Sequence, residues 1–467
     1  MARELLEGPE YGVREPEETV PPEGEQITCQ AVWAIEAYTP LHADRLFERL
    51  ESLGFGRDDR WHSGGIRAQL ERVRGGPRGG TWLNLDHVFP VGRRGGFMFG
   101  GVEAPLPNGI RCARPSLHGL TPSVTVLVVQ FVLDDDAATA LDRLSRRTNF
   151  KPKTQIHENG VSLMPSDQVK QAALRELRGE LRAEGTGWVA EQLPGVFASG
   201  LGGHPMPSAE LVTTEVALAF ERGEPVHNYA EFAGLGYDPL HWISDDVPHW
   251  RLAFDRSEDF VIITARRREV IKESYKQHGD DERWPLTYEM HERLAKDFAL
   301  WGASHLLLAF HARLRAVRDH ELRPRRLQTA GKRLRTIKDE FLRDALDARD
   351  AAVELEHYAD DERRFEWNAC EWKSSNALSR EDRLLENLRL TIKDNAAALA
   401  GAEARLRDGL IVDSSVVGTR AGLRLNWWML LITLVALLIA ITSLIVASRA
   451  NGTDRPRNTS THSTEAR

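Results

Sequence analysis

Residues 124–133 read VTVLVVQFVL, and this stretch decides the fold of the soluble part of the chain. β-Branched residues dominate it, which favours a strand over a helix. Because it is apolar at nearly every position rather than at alternate ones, both of its faces are expected to be buried. It therefore predicts the central strand of a mixed sheet in an α/β domain.

Further strands and helices are expected on either side of this stretch. Thr39-Pro40 predicts a helix start, which Gly54 ends, and Asp134 opens another helix directly after the central strand. The remaining elements are predicted from alternating apolar residues, from apolar residues at helical spacing and from turn residues. These elements are strands at 27–35, 81–85 and 210–220, a helix at 166–182, and a hairpin formed by 250–254 and 260–265.

Composition and the spacing of apolar residues change along the chain and divide it into seven regions. We expect a disordered acidic Pro/Glu-rich N-terminus, an α/β domain, a core helix region, a helical hairpin or coiled coil, a juxtamembrane linker, a transmembrane helix and a Ser/Thr-rich tail. Their ranges are 1–26, 27–270, 271–320, 321–410, 411–426, 427–448 and 449–467. In the third region the apolar run 298–310 is too short to span a bilayer, which favours a buried core helix.

Heptad spacing between residues 330 and 406 predicts two seamed helices around a short break. Asp344, Glu362 and Asn395 interrupt the seams, so two surface helices packed on the α/β domain are the alternative. The first arm has one seam of Ala330, Ile337, Ala351, Tyr358, Phe365 and Trp372, and another of Leu334, Phe341, Ala348, Leu355 and Ala369.

Residues 427–448 contain no charge over roughly 22 residues, enough for about 33 Å of helix. Trp427 and Trp428 stand where an interfacial aromatic belt is expected, and Arg424 and Arg449 flank the run. The stretch predicts one transmembrane helix in contact with membrane lipid. The N-terminus lacks an apolar signal segment, so we expect a tail-anchored protein of the plasma (inner) membrane with its body in the cytoplasm.

Composition narrows the function classes. The net charge of −8 gives no case for nucleic acid as a partner. The three cysteines are far apart, which fits a reducing compartment rather than a disulfide framework. Arginine outnumbers lysine, and alanine and glycine are plentiful, as in proteins of GC-rich bacteria.

The usual catalytic motifs are incomplete. Gly331-Lys332 lacks the rest of a phosphate-binding loop, and His291-Glu292 is followed by Ala295 where a zinc protease needs its second histidine. Ser63 and Ser199 lack the glycines of a nucleophile elbow. We therefore expect a non-enzymatic protein and assign no catalytic residue, although an enzyme with an unrecognised site in 27–270 remains an alternative.

Two acidic or histidine-containing runs are candidate sites for a divalent metal. One follows the central strand, where carboxylates suit Mg²⁺ or Ca²⁺, although acids at a helix start also cap its amides. The other, at 241–250, offers nitrogen and oxygen ligands, although it also suits a polar turn before the hairpin. The residues are Asp134, Asp135 and Asp136 in the first run, and His241, Asp245, Asp246 and His249 in the second.

Two further sets bear on the membrane. A basic run is a candidate contact with anionic headgroups or, alternatively, a solvated helix face: Arg323, Arg325, Arg326, Lys332, Arg333, Arg335 and Lys338. Small residues recur every three or four positions in the span, which predicts packing between spans and hence a homo-oligomer. They are Thr433, Ala436, Ala440, Ser443 and Ala447.

The architecture predicts a cytoplasmic regulatory, sensing or scaffolding body held at the membrane. An acidic α/β domain, long helices and a C-terminal span also resemble the CorA-type divalent-cation channels, which implies cation transport as the alternative. Those channels carry two spans and a Gly-Met-Asn signature, whereas this chain has one predicted span and no such tripeptide.

Overall fold

The computed structural model describes residues 19–56, 65–75, 81–92, 101–157, 160–215, 232–235, 241–247, 249–255, 260–274, 283–318, 330–367, 369–375 and 383–451. Within these ranges the strands are β1 (Thr28–Tyr38), β2 (Thr81–Asn84), β3 (His87–Phe89), β4 (Gly101–Glu103), β5 (Ile110–Thr121), β6 (Val124–Leu133), β7 (Lys153–His157), β8 (Gly160–Met164), β9 (Ser208–Thr214), β10 (His241–Ser244), β11 (Trp250–Asp255), β12 (Phe260–Arg266) and β13 (Trp372–Ser374).

The helices within the same ranges surround the strands or follow them. They are α1 (Pro40–Leu53), α2 (Gly65–Gly75), α3 (Asp135–Ser145), α4 (Ser166–Gln192), α5 (Arg267–Ser274), α6 (Arg283–Ala316), α7 (Ala330–Asp360), α8 (Glu362–Glu366) and α9 (Leu384–Asn451). Residues 1–18 of the predicted disordered N-terminus (1–26), and 452–467 of the predicted tail, lie outside the described residues.

One mixed sheet organises the body. Its strand order is β13-β10-β11-β12-β9-β1-β6-β5-β3-β4, and β2 also pairs with β5. The β9–β12 and β3–β4 pairs are parallel and the other pairs in the sheet are antiparallel. The predicted mixed α/β sheet is confirmed, and β7 and β8 form a separate hairpin.

The predicted central strand is confirmed as β6, which is buried at all ten positions between β1 and β5. With helices α1 and α3, strands β1, β5, β6 and β9 follow the connection order of the ferredoxin-like β-α-β-β-α-β motif. The outer strands β10, β11 and β12 extend this motif, so the predicted hairpin at 250–265 belongs to the same sheet.

One face of the sheet is covered by α1, α3 and α4, and its core is apolar. Val32, Val129 and Phe131 lie in this core. Helix α4 approaches closely at Gly185, where an added Cβ would stand 2.8 Å from the Phe131 ring. The helix runs ten residues beyond the predicted end at 182 because Trp188 and Val189 are also buried there.

The other face is covered by α6, which contacts β1, β5 and β6. Gly302 allows the close approach, because a Cβ there would stand 2.6 Å from Ile35 Cγ2. Phe298, Leu306 and Leu307 of α6 are buried, so the predicted core helix at 298–310 is confirmed.

The predicted long coiled coil is not confirmed. Two residues of its first seam form hydrogen bonds with α6: Tyr358 accepts from Lys296 Nζ, and Trp372 Nε1 donates to Asp297 Oδ2 at 3.0 Å. Residues 372–374 form β13, which pairs with β10 at the sheet edge. This packing agrees with the alternative of helices lying on the α/β body.

The chain divides into two compact units, Met1–Arg325 with Leu334–Glu403, and Arg326–Arg333 with Ala404–Arg467. The second unit contains a helical segment, Asn426–Ser443, that is long and apolar enough to cross a membrane, with a mean hydropathy of 1.9 and none of its window buried. Among the described residues it is the one such segment.

Candidate functional site

A pocket opens between the polar face of the sheet and α6, entirely within the first unit. It is a cleft that opens to solvent, and the free space in and in front of it, about 410 Å³, includes open solvent. Three parts of the chain converge on it: strands β2 and β5, helix α6, and the segment after α8. The lining residues are Thr81, Trp82, Asn84, His118, Leu120, Glu292, Ala295, Lys296 and Trp367.

Strand pairing brings Trp82 and His118 together, because they are directly opposite in the β2–β5 ladder and side chains at opposite positions share a face. Asn84 lies opposite Ser116 in the same way. The Nε2 atom of His118 is 3.2 Å from Ser116 Oγ. Burial, with a smaller contribution from Lys296, lowers the pKa of His118 to about 3, so the imidazole is neutral at physiological pH.

Helix α6 presents Glu292 and Lys296 one turn apart, which places both on the same side of the helix. Asn84 Nδ2 donates to Glu292 Oε1 at 3.0 Å and lies 3.2 Å from Oε2, which fixes the carboxyl group. Burial raises the pKa of Glu292, against the opposing effects of the Asn84 hydrogen bond and Arg114. The carboxyl therefore retains a proton at higher pH than an exposed glutamic acid does.

Lys296 is the unusual group of the pocket, because its side chain is buried, with 6% of the residue exposed. Nζ donates to the hydroxyl of Tyr358, and that hydroxyl donates to the carbonyl oxygen of Arg364 at 3.2 Å. Burial lowers the pKa of Lys296 to about 7, although Asp297 opposes the change. Within the described residues, no carboxylate forms an ion pair with its Nζ.

Two exposed tryptophans form the rim. Trp82 is 41% and Trp367 53% exposed, and their rings meet edge to face with centroids 5.2 Å apart. Exposed indoles are costly in water, and beside a polar pocket they suit the apolar or planar part of a ligand. The pocket thus combines an aromatic mouth with a polar floor, the usual composition of a small-molecule site.

A buried polar layer continues from the pocket between the sheet and α6. Arg114 Nη1 lies 3.4 Å from both Gln130 Oε1 and Thr287 Oγ1, and Trp33 Nε1 donates to His291 Nδ1 at 3.3 Å. Burial lowers the pKa of Arg114 to about 10 and that of His291 well below its usual value. This face is therefore rich in groups held away from their ordinary protonation behaviour.

The first predicted metal run forms the start of α3. Asp134 is the N-cap and accepts from Ala137 N at 2.9 Å, and Asp136 makes an exposed ion pair with Arg143 at 3.3 Å. Asp135 lies in the first helical turn. Capping accounts for these positions, as the alternative interpretation of the sequence holds.

The second predicted metal run is divided by the sheet. His241 is buried in β10 and His249 just before β11, while Asp245 forms an ion pair with Lys373 Nζ at 2.7 Å and Asp246 is exposed. Among the described residues, no three His, Cys, Asp or Glu side chains are arranged to hold a metal ion. No geometry in this part of the chain therefore supports either divalent-metal prediction.

Two sets of residues were predicted to act at the membrane, the basic run and the small residues of the span. Only some of their side chains belong to the part of the chain that the structure describes. The side chains of the whole basic run, Arg323, Arg325, Arg326, Lys332, Arg333, Arg335 and Lys338, lie outside the described part of the chain, as do those of Ala440 and Ala447. Thr433, Ala436 and Ser443 are exposed on α9, and Thr433 Oγ1 donates to Met429 O at 2.7 Å.

Sequence reasoning assigned no role to the pocket residues. One signal was present: β5 carries polar residues at every second position, Arg114, Ser116 and His118, opposite an apolar strand. Another was that α6, otherwise a core helix, carries polar residues in its first half, including Glu292 and Lys296. Neither signal shows that the two sets meet, because they are more than 170 residues apart.

No protein-family model matches the chain, and neither a curated protein nor a solved structure matches it. The functional argument therefore depends on the site itself.

Proposed function

We propose that this protein is a single-pass, membrane-tethered sensor. Its cytoplasmic α/β body binds a small molecule in the pocket around Lys296, and its C-terminal helix holds the body at the bacterial inner membrane. The observation that carries the proposal is the pocket. Its buried lysine forms no ion pair among the described residues and lies beside exposed aromatic side chains, a cost in stability that ligand binding explains.

The tether is supported by the exposure of the apolar helix. Trp427 and Trp428 are 71% and 65% exposed, and Leu430 and Ile432 are more than 60% exposed. A continuous apolar surface of this kind is unfavourable in water and favourable in lipid. The tryptophans at its start suit the headgroup region.

The regulatory role is supported by the position in the chain of the pocket residue Trp367 and of Tyr358, the partner of Lys296. Both precede helix α9, which continues to Asn451 and includes the proposed span. A ligand that contacts both Lys296 and Trp367 favours the conformers in which these residues are held together. Ligand binding then makes the segment between residues 358 and 367 more ordered, and this is the signal that the sensor transmits.

The small residues of the span support a homo-oligomer, because close packing and hydrogen bonds drive helix association in lipid. An in-membrane dimerisation reporter carrying residues 421–450 tests this. Replacing both Ala436 and Ala440 with Leu is expected to weaken association without weakening insertion. Equal association of parent and variant would make the span a tether only.

Native mass spectrometry of the full-length protein, released from detergent micelles after purification from membranes, tests ligand binding. We expect the parent to retain a small molecule that the Trp82→Ala, Trp367→Ala double variant loses. Leu163→Ala removes another exposed apolar side chain, 64% exposed and outside the pocket, and is the matched control. The same adduct masses in all three proteins, or none in the parent, contradict the proposal.

A topology measurement tests the tether separately. A reporter active only outside the cytoplasm is expected to work when fused after Arg467 and to fail when fused before Met1. Recovery of the full-length protein in the soluble fraction, or the reverse reporter pattern, contradicts this arrangement.

A further inference from the structure

The pocket around Lys296 has the features of a covalent binding site. We infer that it takes a small aldehyde or ketone, held as a reversible imine on Lys296 Nζ. This inference rests on the proposed ligand-binding function and names the chemical class of the ligand. The geometry that carries it is a buried lysine and a glutamate one helical turn apart that line the same pocket, together with two exposed indoles.

The lone pair of Nζ is left free by its hydrogen bonding. Tyr358 donates its hydroxyl proton to the carbonyl oxygen of Arg364, so its oxygen can only accept from Nζ. Tyr358 therefore holds the amine by one N–H bond without competing for the lone pair. Because an unpaired buried ammonium is costly, the neutral and nucleophilic amine is the form that this environment favours.

The charges of the pocket favour a neutral ligand. Glu292 lines the same pocket as Lys296, so a bound anion lies near an acidic side chain and a bound cation lies near a basic one. A carbonyl group carries neither charge. Its carbon accepts the amine, its oxygen accepts hydrogen bonds, and an apolar substituent can rest against Leu120, Trp82 and Trp367.

Imine formation needs no oxidant or reductant. The Nζ lone pair attacks the carbonyl carbon, an N–C bond forms, and the carbonyl π electrons move to oxygen. That oxygen receives a proton, and the nitrogen loses one, to give a neutral carbinolamine. A second proton, from Glu292, lets the hydroxyl leave as water while the nitrogen lone pair forms the C=N bond. Loss of the remaining N–H proton to the Glu292 carboxylate restores its carboxyl group and leaves a neutral imine.

His118 is compatible with this chemistry but is not assigned a proton-transfer role in it. Its imidazole is neutral and bonded to Ser116, so it adds no positive charge beside Nζ. Asn84 holds the carboxyl group of Glu292 by the hydrogen bonds described above. The carboxyl is thereby fixed on the same side of α6 as the amine.

Reductive trapping tests the inference on the full-length protein in detergent micelles. The probe is benzaldehyde, whose ring suits the tryptophan rim, with cyanoborohydride to reduce any imine to a stable benzylamine. Peptide mass spectrometry then compares Lys296 with Lys373, a lysine whose side chain is 60% exposed. We expect Lys296 to be labelled about tenfold or more faster at neutral pH, with half-maximal labelling near pH 7 because its pKa is about 7.

Two variants separate imine chemistry from simple accessibility. Glu292→Gln keeps the size and the contact with Asn84 but cannot donate the proton, so we expect labelling of Lys296 to slow by about 10²-fold while Lys373 is unaffected. Lys296→Met removes the nucleophile, and benzyl groups should then be lost from this peptide only. The parent protein alone decides the main question, so misfolding of a variant leaves the test intact.

Labelling of Lys296 no faster than that of Lys373 overturns the inference. If benzoate slows the labelling of Lys296, and the two lysines are otherwise labelled equally fast, the pocket is an anion site. That result also overturns the inference. Either result leaves the proposed function standing if native mass spectrometry still finds a retained small molecule. Absence of any retained molecule with fast labelling of Lys296 contradicts the sensor proposal and leaves the imine chemistry intact.

Discussion

The two faces of the central sheet treat buried charge differently. Under α4, Glu210 is completely buried but ion-paired with both Arg178 and Arg182, the latter at 2.7 Å. Arg178 Nη1 also donates to Gly234 O at 2.9 Å, and Arg182 stacks 3.6 Å above the Phe260 ring. Under α6, Lys296 is almost as buried and has a phenol as its partner.

This difference separates a structural role from a functional one. A buried carboxylate with two guanidinium partners has its charge compensated and its lone pairs satisfied, so nothing remains to bind a ligand. A buried amine without a carboxylate lowers stability in its charged form and keeps a reactive lone pair. Strongly perturbed groups beside a cleft are where function is expected.

Breaking the compensated cluster should have the largest effect. Glu210→Gln leaves two buried guanidinium groups facing a neutral amide, so we expect a loss of about 3–5 kcal/mol in the free energy of unfolding. Urea unfolding of the full-length protein in detergent, followed by tryptophan fluorescence, measures it. Asp44→Asn, which breaks an exposed ion pair with Arg67, is the control and should cost less than about 1 kcal/mol. Similar losses for the two variants would contradict the contrast.

Lys296→Met should act in the opposite direction and depend on pH. The pKa of Lys296 is lowered from 10.5 to about 7 in the folded protein, so from about pH 7 to 10.5 the unfolded chain binds more protons. Stability of the parent therefore rises with pH across this window, and the variant loses that contribution. Below pH 7 the variant should be more stable by a few kcal/mol, a margin that shrinks toward pH 10.

Unfolding midpoints of parent and variant at several pH values between 6 and 10 test this. Lys373→Met removes a lysine that is 60% exposed and ion-paired with Asp245, and its difference from the parent should vary much less with pH, because that amine keeps its contact with water in the folded protein. A constant difference for Lys296→Met would mean that the amine is hydrated in the folded protein, and the distinction between the two faces would fail.

Two glycines of α4 test how tightly this helix packs on the apolar face of the sheet. An added Cβ at Gly185 meets the Phe131 ring at 2.8 Å, so Gly185→Ala should cost about 1–3 kcal/mol. Gly187 has no atom within 4 Å of such a Cβ, so Gly187→Ala should stabilise by about 0.4–1 kcal/mol through helix propensity. Urea unfolding, as for Glu210→Gln, compares them, and a shift in the same direction for both would contradict the tight packing of α4.

Much of the fold was predictable because it depends on local pattern. The apolar run 124–133 gave the central strand, Thr39, Pro40 and Gly54 bounded α1, and the apolar run 298–310 gave the core helix. The heptads at 330–372 did not decide the packing, since apolar residues at helical spacing fit a coiled coil and a helix on an α/β body equally well. In the structure Tyr358 and Trp372 form hydrogen bonds with Lys296 and Asp297 of α6.

The sequence by itself determined a mixed α/β body and one helix apolar enough to span a membrane, because periodicity and length are written in consecutive residues. Only the tertiary structure brought Asn84 and His118 to Glu292 and Lys296, across more than 170 residues of chain. It also removed Lys296 from water and gave it the hydroxyl of Tyr358 as a hydrogen-bond partner, with no ion pair among the described residues. The reactivity of an amine depends on its surroundings, and those are set by packing rather than by its neighbours in sequence.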